Sequence, residues 1–361
     1  MAATKDNGRI LIAPLNWGLG HAARCIPVVR ALEANGFEPI IASDGDALKL
    51  LKKEFPNLEC HVLPSYGITY PKDGKDFKWK MLRLMPQMIE AMLEEKKIVK
   101  KWVREMGLDG IISDNRPGVC SKKVPSVFMT HQLNVLSGNT SWITGGLHRR
   151  IIAKFTQCWV PDVEIAPNLS GKLGHVEKPP VNVRYIGPLS RFHFAESAAR
   201  YDLMVMLSGP EPQRSQFENR LRNELLFYSG SVLFVRGVVE PEQKQEQKGN
   251  IHFYNYMTSG QMQQAMCESR TILCRSGYTT LMDLSKLGRK AFLVPTPGQY
   301  EQEYLAKKVK REGMLPSAKQ EKFRIEMLQE VELYPGLPRT RTATDWESLF
   351  GLFERKGELR T

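Results

Sequence analysis

Residues 9–44 read RILIAPLNWGLGHAARCIPVVRALEANGFEPIIASD. The apolar run RILIAPL breaks at a turn holding Gly18 and Gly20, apolar residues then recur at helical spacing as far as Asn35 and Gly36, and a second apolar run, EPIIAS, follows. Strand, turn, helix and strand in that order predict a parallel pair joined by a helical crossover, since parallel strands cannot be linked by a tight hairpin. The two glycines permit a tight turn and close approach of backbone to a ligand, at a helix N-terminus whose free N–H groups favour anions.

The pattern extends outward through CHVLP (60–64), DGIISD (109–114) and PSVFMTH (125–131), and it restarts after VRYIGPLSRF (183–192). The second series is DLMVMLS (202–208), SVLFVRG (231–237), IHFYNYM (251–257), TILCRS (271–276) and KAFLVPT (290–296), again separated by helix-length segments. Such alternation predicts the α/β class with mostly parallel sheets covered on both faces. A chain of 361 residues exceeds the roughly 250–300 at which one core stops growing. The expected organisation is therefore two Rossmann-like domains, 1–190 and 191–340, facing across a cleft. A C-terminal helix within 341–361 is expected to pack back on the first domain. Breaker chemistry at Gly187 and Pro188 puts the hinge between 186 and 200. Ligands of open parallel sheets bind outside the carboxyl ends of the strands, so the chemistry is sought on the loops there.

Composition is ordinary for a globular chain, 42% hydrophobic and 25% charged, but the formal net charge is +12, which favours a polyanionic partner. The start lacks an apolar run of signal-peptide length, and no stretch approaches the roughly 18 apolar residues of a membrane span, so a soluble, cytoplasmic chain is expected. Cys25, Cys60, Cys120, Cys158, Cys267 and Cys274 lie scattered without CxxC spacing, which argues against zinc and against a disulfide framework. No metal site is expected.

His21 directly follows the glycine turn and is expected to point into the cleft, where an imidazole of pKa near 6.5 suits a general base. The plainer reading is a histidine that only hydrogen-bonds within its loop. Asp114, closing GIISD, is placed to orient that imidazole, or else to serve as a helix cap. Gly18, Gly20 and Ala23 also satisfy a GxGxxA fingerprint, with Asp44 where a ribose-binding acid belongs, so a nicotinamide or flavin enzyme competes. In the second half, CRSGYTTLMD (274–283) ends a strand with a turn at Ser276 and Gly277 that opens a helix. Its amides, with Thr279 and Thr280, suit a diphosphate, and Asp283 suits ribose hydroxyls. VPTPGQYEQE (294–303) forms a second polar loop on a strand's carboxyl end.

In this order the segments resemble family 28 glycosyltransferases of the GT-B fold, most closely the branch that adds N-acetylglucosamine to an undecaprenyl-linked peptidoglycan acceptor. The resemblance is strongest over 251–313, with GLGHAAR similar to the family's first glycine loop and IGPLSR to its inter-domain segment. About half of the N-terminal domain shows no match. The resemblance implies His21 as the loop histidine, Arg191 near the donor phosphates, Phe253 and Tyr254 framing the uracil, Thr280 on phosphate and Asp283 on ribose. It places Gln302, in the loop that Gln299 opens, on the donor sugar. Glu301 replaces the adjacent glutamine, and Leu305 stands where the family has asparagine. Ser208 and Gly209 occupy the place of a glycine-serine-rich phosphate loop, but Pro210 and Pro212 remove donors there and Glu211 repels phosphate, with Arg214 the one compensating charge nearby.

The activity so implied is inverting, metal-independent transfer of a hexose or N-acetylhexosamine from a UDP-sugar, bound by 191–340, to a hydroxyl acceptor held by 1–190, lipid-linked or another glycan. It needs no cofactor and no nucleic acid partner. A basic, apolar segment around Lys75, Lys78, Trp79, Lys80, Arg83, Met85, Met88 and Met92, continuing to Lys101, Trp102 and Arg104, reads either as a membrane-surface helix on the inner face of the cytoplasmic membrane or as a solvated helix over core. A second such segment holds Trp142, Ile143, Leu147, His148, Arg149, Arg150, Ile151, Ile152 and Phe155. Two other readings stay open. A sugar-nucleotide epimerase or hydrolase would place carboxylates across the cleft, and a non-catalytic nucleotide-sugar binder would tolerate loss of His21.

Overall fold

The structure, a computed structural model, describes residues 8–68, 77–134, 141–180, 182–209 and 211–354, with the side chains of 77–82, 141–145 and 147 outside that description. Lys75 and the side chains of Lys78, Trp79, Lys80, Trp142, Ile143 and Leu147 therefore lie outside the described part.

Strands β1 (Arg9–Pro14), β2 (Glu38–Ser43), β3 (Cys60–Val62), β4 (Leu108–Asp114), β5 (Ser126–Met129), β6 (Gln157–Val160) and β7 (Val183–Tyr185) form one parallel sheet in the order β3-β2-β1-β4-β5-β6-β7. Helices α1 (Gly20–Ala34), α2 (Gly45–Glu54), α3 (Phe77–Glu105) and α4 (Ser141–Ile152) fall between them along the chain. Successive residues of β1 enter different cores. Ile10 and Ile12 join Ile26 and Val29 of α1, whereas Leu11 and Ala13 join Val99 and Val103 of α3. Burial on both faces is why RILIAPL is a continuous apolar run with no alternation.

The second sheet holds β8 (Tyr201–Met206), β9 (Val232–Val235), β10 (Gln245–Lys248), β11 (Ile251–Tyr254), β12 (Ser269–Cys274) and β13 (Ala291–Leu293), in the order β10-β11-β9-β8-β12-β13. All pairs are parallel except β10 with β11. Helices α5 (Gln213–Leu225), α6 (Ser259–Cys267), α7 (Tyr278–Leu287) and α8 (Tyr300–Arg311) cover it, and α9 (Trp346–Phe350) comes last. Three strands escaped sequence reading. In β10, Gln245 to Lys248 are all exposed, so no apolar period marks it; β6 holds only three apolar residues in a row, and β7, within VRYIGPLSRF, is only half-buried.

Tyr185 and Tyr201 are joined by a stretch without helix or strand. The chain crosses back before α9, whose Phe350 ring lies 5.6 Å from Phe37, while Phe353 lies 6.2 Å from Trp159. Phe353 also fills the space over Gly110, where a Cβ would meet its ring at 2.3 Å. The C-terminal segment thus packs on the first sheet's layer. Strand order reverses between β1 and β4 in one sheet and between β8 and β12 in the other, and at such switch points the loops diverge and leave a crevice. Among the described residues no helix is long and apolar enough to cross a membrane.

Candidate functional site

The two crevices face each other. Gly18 (φ +74°) lies so near the second domain that a Cβ on it would sit 3.9 Å from Cα of Gly209 (φ +103°). One turn on, the Thr279 hydroxyl donates to the carbonyl of Gly20 at 3.0 Å, joining the start of α7 to the start of α1. The glycine loops at 18–20, 208–209 and 276–277 therefore come together although they are distant in sequence.

On the N-terminal side, register pairs Pro14 with Asp114, and this brings the end of β4 beside the loop after β1. His21 Nδ1 lies 2.9 Å from Asp114 Oδ1. Arg24, one helical turn after His21, is buried and donates from Nε to Asp114 Oδ2 at 2.6 Å; a terminal nitrogen reaches Asp114 Oδ1 and lies 2.8 Å from His21 Nδ1. Its other terminal nitrogen is 2.9 Å from His131 Nδ1, and His131 Nε2 is 2.9 Å from Glu301 Oε1 on α8. Gln132 also donates to Glu301, and the His131 ring stacks on Tyr278 at 4.2 Å. Burial would raise the Asp114 carboxyl, but Arg24 and then His21 outweigh it and hold it well below the carboxylate range. For His21, burial lowers the imidazole's pKa, Asp114 opposes and Arg24 reinforces, so it stays below its ordinary value and is neutral at neutral pH.

On the C-terminal side Gly277 caps α7 without a side-chain hydrogen bond, so the first-turn amides of that helix carry its positive end uncapped by any side chain. Ser276 Oγ donates to Gln302 O, and Gln302 Oε1 accepts from Thr296 N, so these two side chains hold loop to loop. Thr280 stays half-buried beside Gly277. Arg275 lies fully buried beneath, on the Phe217 ring and on carbonyls of Gln213, Val294 and Pro295. Asp283 accepts from Ser190 at 2.6 Å, and burial, opposed by Arg191, raises its carboxyl to about 6. Among the described residues, the buried polar atoms around this space that make no hydrogen bond include Arg191 Nε, Arg275 Nε, Thr296 Oγ1 and Gln299 Oε1. Buried polar groups left without partners in a fold are unfavourable, and they fit a ligand.

Several expectations need correction. Phe253 is buried, its ring 5.1 Å from Phe234 and beneath Arg222, because alternation along β11 turns it into the core. Tyr254 is half-buried on the other face. Arg214 is buried and spent on Glu211 and Glu218, so it offers no free charge to compensate at a phosphate. Asp44 is bound by the buried Arg116 and by Asn16, which removes the ribose acid that the dinucleotide reading needs. Arg24 and Glu301 as partners were missed, although an arginine inside the apolar helix AARCIPVV, one turn from His21, is a legible signal.

Residues 215–341 match the model of the glycosyltransferase family 28 C-terminal domain. The UDP-N-acetylglucosamine--N-acetylmuramyl-(pentapeptide) pyrophosphoryl-undecaprenol N-acetylglucosamine transferase of Actinobacillus pleuropneumoniae serotype 5b (strain L20) is 23% identical over 307 residues, covering 79% of this chain and 78% of that one. The protein of the same name from Buchnera aphidicola subsp. Schizaphis graminum (strain Sg) is 22% identical over 338 residues, 90% and 88% of the two chains. Among solved structures, the glycotransferase of kitacinnamycin is similar with a TM-score of 0.60 at 15% identity, covering 96% of this chain and 94% of that one. MurG of Acinetobacter baumannii gives 0.56 at 12%, covering 96% and 99%. Spinosyn rhamnosyltransferase SpnG, solved with thymidine diphosphate, gives 0.57 at 12%, covering 91% and 90%. On the paired sheets, the facing glycine loops and this domain match, the chain has the GT-B fold, carries the glycosyltransferase family 28 C-terminal domain and is a glycosyltransferase.

Proposed function

We propose that the chain transfers a hexose or N-acetylhexosamine from a UDP-sugar, with inversion and without metal, to a hydroxyl of a lipid-linked glycan at the cytoplasmic face of the membrane. The observation that carries this is the His21–Asp114 pair, 2.9 Å apart, facing the uncapped start of α7 across the Thr279–Gly20 contact. His21 Nε2 takes the proton of the acceptor hydroxyl, whose oxygen attacks the anomeric carbon. The bond to the diphosphate breaks, and its electron pair leaves with the nucleotide, whose charge the α7 amides and Arg191 stabilise. Asp283 holds the ribose, and the orphaned Thr296 and Gln299 oxygens accept from sugar hydroxyls. The relatives' printed names, which specify a UDP-linked donor and an undecaprenol-linked acceptor, support the donor and acceptor classes.

Glu301 places a carboxylate across the cleft, the feature an epimerase or hydrolase would need, but His131 and Gln132 consume it, so transfer remains the better reading. Membrane contact is supported by α3. Its residues Ala91, Glu95, Val99 and Val103 are buried, whereas Met85, Ile89 and Leu93 are about half exposed on a stripe of their own, next to exposed Lys96, Lys97 and Lys100. In the second segment Ile152 and Phe155 are core and His148 packs on Phe128, so that stretch gives membrane contact no support. Thermal unfolding against UDP-, GDP- and dTDP-sugars tests the donor, because a ligand of the native state raises Tm by mass action. A rise with UDP-sugars is expected, and a rise confined to GDP- or dTDP-sugars would overturn the donor assignment.

A further inference from the structure

We propose that Arg24 is a positioning residue for His21, holding the imidazole, Asp114 and His131 in one hydrogen-bonded array that Glu301 closes from the second domain, so that charge on the donor side is felt at the imidazole. This rests on the reading of His21 as the base, but it is testable without turnover.

Arg24 is 2% exposed and is the fifth residue of α1, three residues after His21 and hence on the same helical face. Its fork meets three partners at once: it donates to both Asp114 oxygens and to His131 Nδ1, and it lies 2.8 Å from His21 Nδ1, whose own proton goes to Asp114 Oδ1 so that Nε2 keeps its lone pair. A guanidinium only donates, so His131 Nδ1 must accept. The His131 proton then lies on Nε2, which donates to Glu301, while stacking on Tyr278 fixes the ring. Tyr278 is itself held through its hydroxyl by the Pro161 carbonyl of the first domain. Without Arg24, the Asp114 charge would favour the imidazolium form of His21 more strongly; with it, that charge is already neutralised. A lysine has no planar fork and could not span these partners.

The groups facing His21 are Asp114 from β4, Arg24 from α1, His131 from the loop after β5, and Glu301 from α8; Cys25 lies on Asp114. The histidine resonances of the full-length, donor-free chain are titrated by NMR, with His21 assigned by its loss in His21→Ala. Removing a cation raises a neighbouring imidazole's pKa and removing a carboxylate lowers it. His21 should therefore titrate at higher pH in Arg24→Met and at lower pH in Glu301→Gln. Shifts of the same sign, or none, overturn the proposal. If Arg24→Met does not fold with Asp114 unpaired, Glu301→Gln decides: a downward shift supports the array and an unmoved His21 overturns it. The acid limb of kcat is recorded beside the titration. A limb that ignores the NMR shift would sink the base reading and leave the role of Arg24 standing.

Discussion

The Thr279 hydroxyl donates to the carbonyl of Gly20 at 3.0 Å, so the helix proposed to hold the donor phosphates is tied directly to the loop that carries His21. Adjacent threonines should therefore behave differently. Thr280→Ala is expected to weaken UDP binding by about 1–3 kcal/mol, the range for a hydrogen bond to a charged partner. Thr279→Val, which leaves the Gly20 carbonyl without its donor, should leave UDP affinity nearly unchanged and lower kcat. Titration calorimetry and steady-state rates on both variants separate the effects, and equal losses of affinity would make Thr279 a donor contact after all.

His21→Ala should lower kcat by about 10² to 10⁴ while donor affinity stays close to wild type, since the proposed donor contacts lie on the second domain. Because burial and Arg24 lower its pKa, the acidic limb of the wild-type profile should lie below about 6.5, the ordinary value. Asp114→Asn should move the limb lower still, as loss of a carboxylate disfavours the imidazolium. Undiminished turnover in His21→Ala removes the base assignment.

Asp283 links stability to donor binding. Its native carboxyl titrates at about 6, above the ordinary aspartate value, so between the two the native state binds more protons than the unfolded one. Stability should fall as pH rises toward 6, and the burden of the ionised group is fully present above that. Asp283→Asn should then be more stable than wild type at pH 8 by up to about 1–3 kcal/mol, less whatever Arg191 loses as its partner, with the difference gone near pH 4. UDP affinity should fall in the same variant. Chemical unfolding at the two pH values is the check, and a variant less stable at pH 8 would contradict this account of the buried carboxylate.

Lipid attachment through α3 predicts a dependence on anionic charge. Replacing Lys96, Lys97 and Lys100 by glutamine should reduce binding to phosphatidylglycerol vesicles by roughly 1 kcal/mol per charge. Sedimentation of the wild-type chain with neutral and anionic vesicles gives the control; equal binding to both would mean that this helix face is only solvated.

The fold was legible wherever strands are buried on both faces: RILIAPL and TILCRS announce themselves as apolar runs before glycine turns. Gln245–Lys248 was not, since an exposed antiparallel edge strand is held by backbone pairing alone and carries no apolar signature. His21 and Asp114 were findable because each ends or follows a strand. What sequence could not supply was the allocation of charge. Arg24, Arg116 and Arg214 look alike in a composition count, yet the first is bound to Asp114, the second to Asp44 and Glu95, and the third to Glu211 and Glu218. Only three-dimensional neighbours decide which carboxylate remains available for chemistry.

Because the chain leaves the first layer after Tyr185 and returns to it at Trp346, with Phe350 and Phe353 anchored on Phe37 and Trp159, two polypeptide strands bridge the halves of the molecule. A single tether permits swivel in any direction, whereas two side-by-side tethers act like the pins of a door. Any opening between the halves would then be confined to one axis, and closing about it would return Thr279 to Gly20 and Glu301 to His131 in the same register.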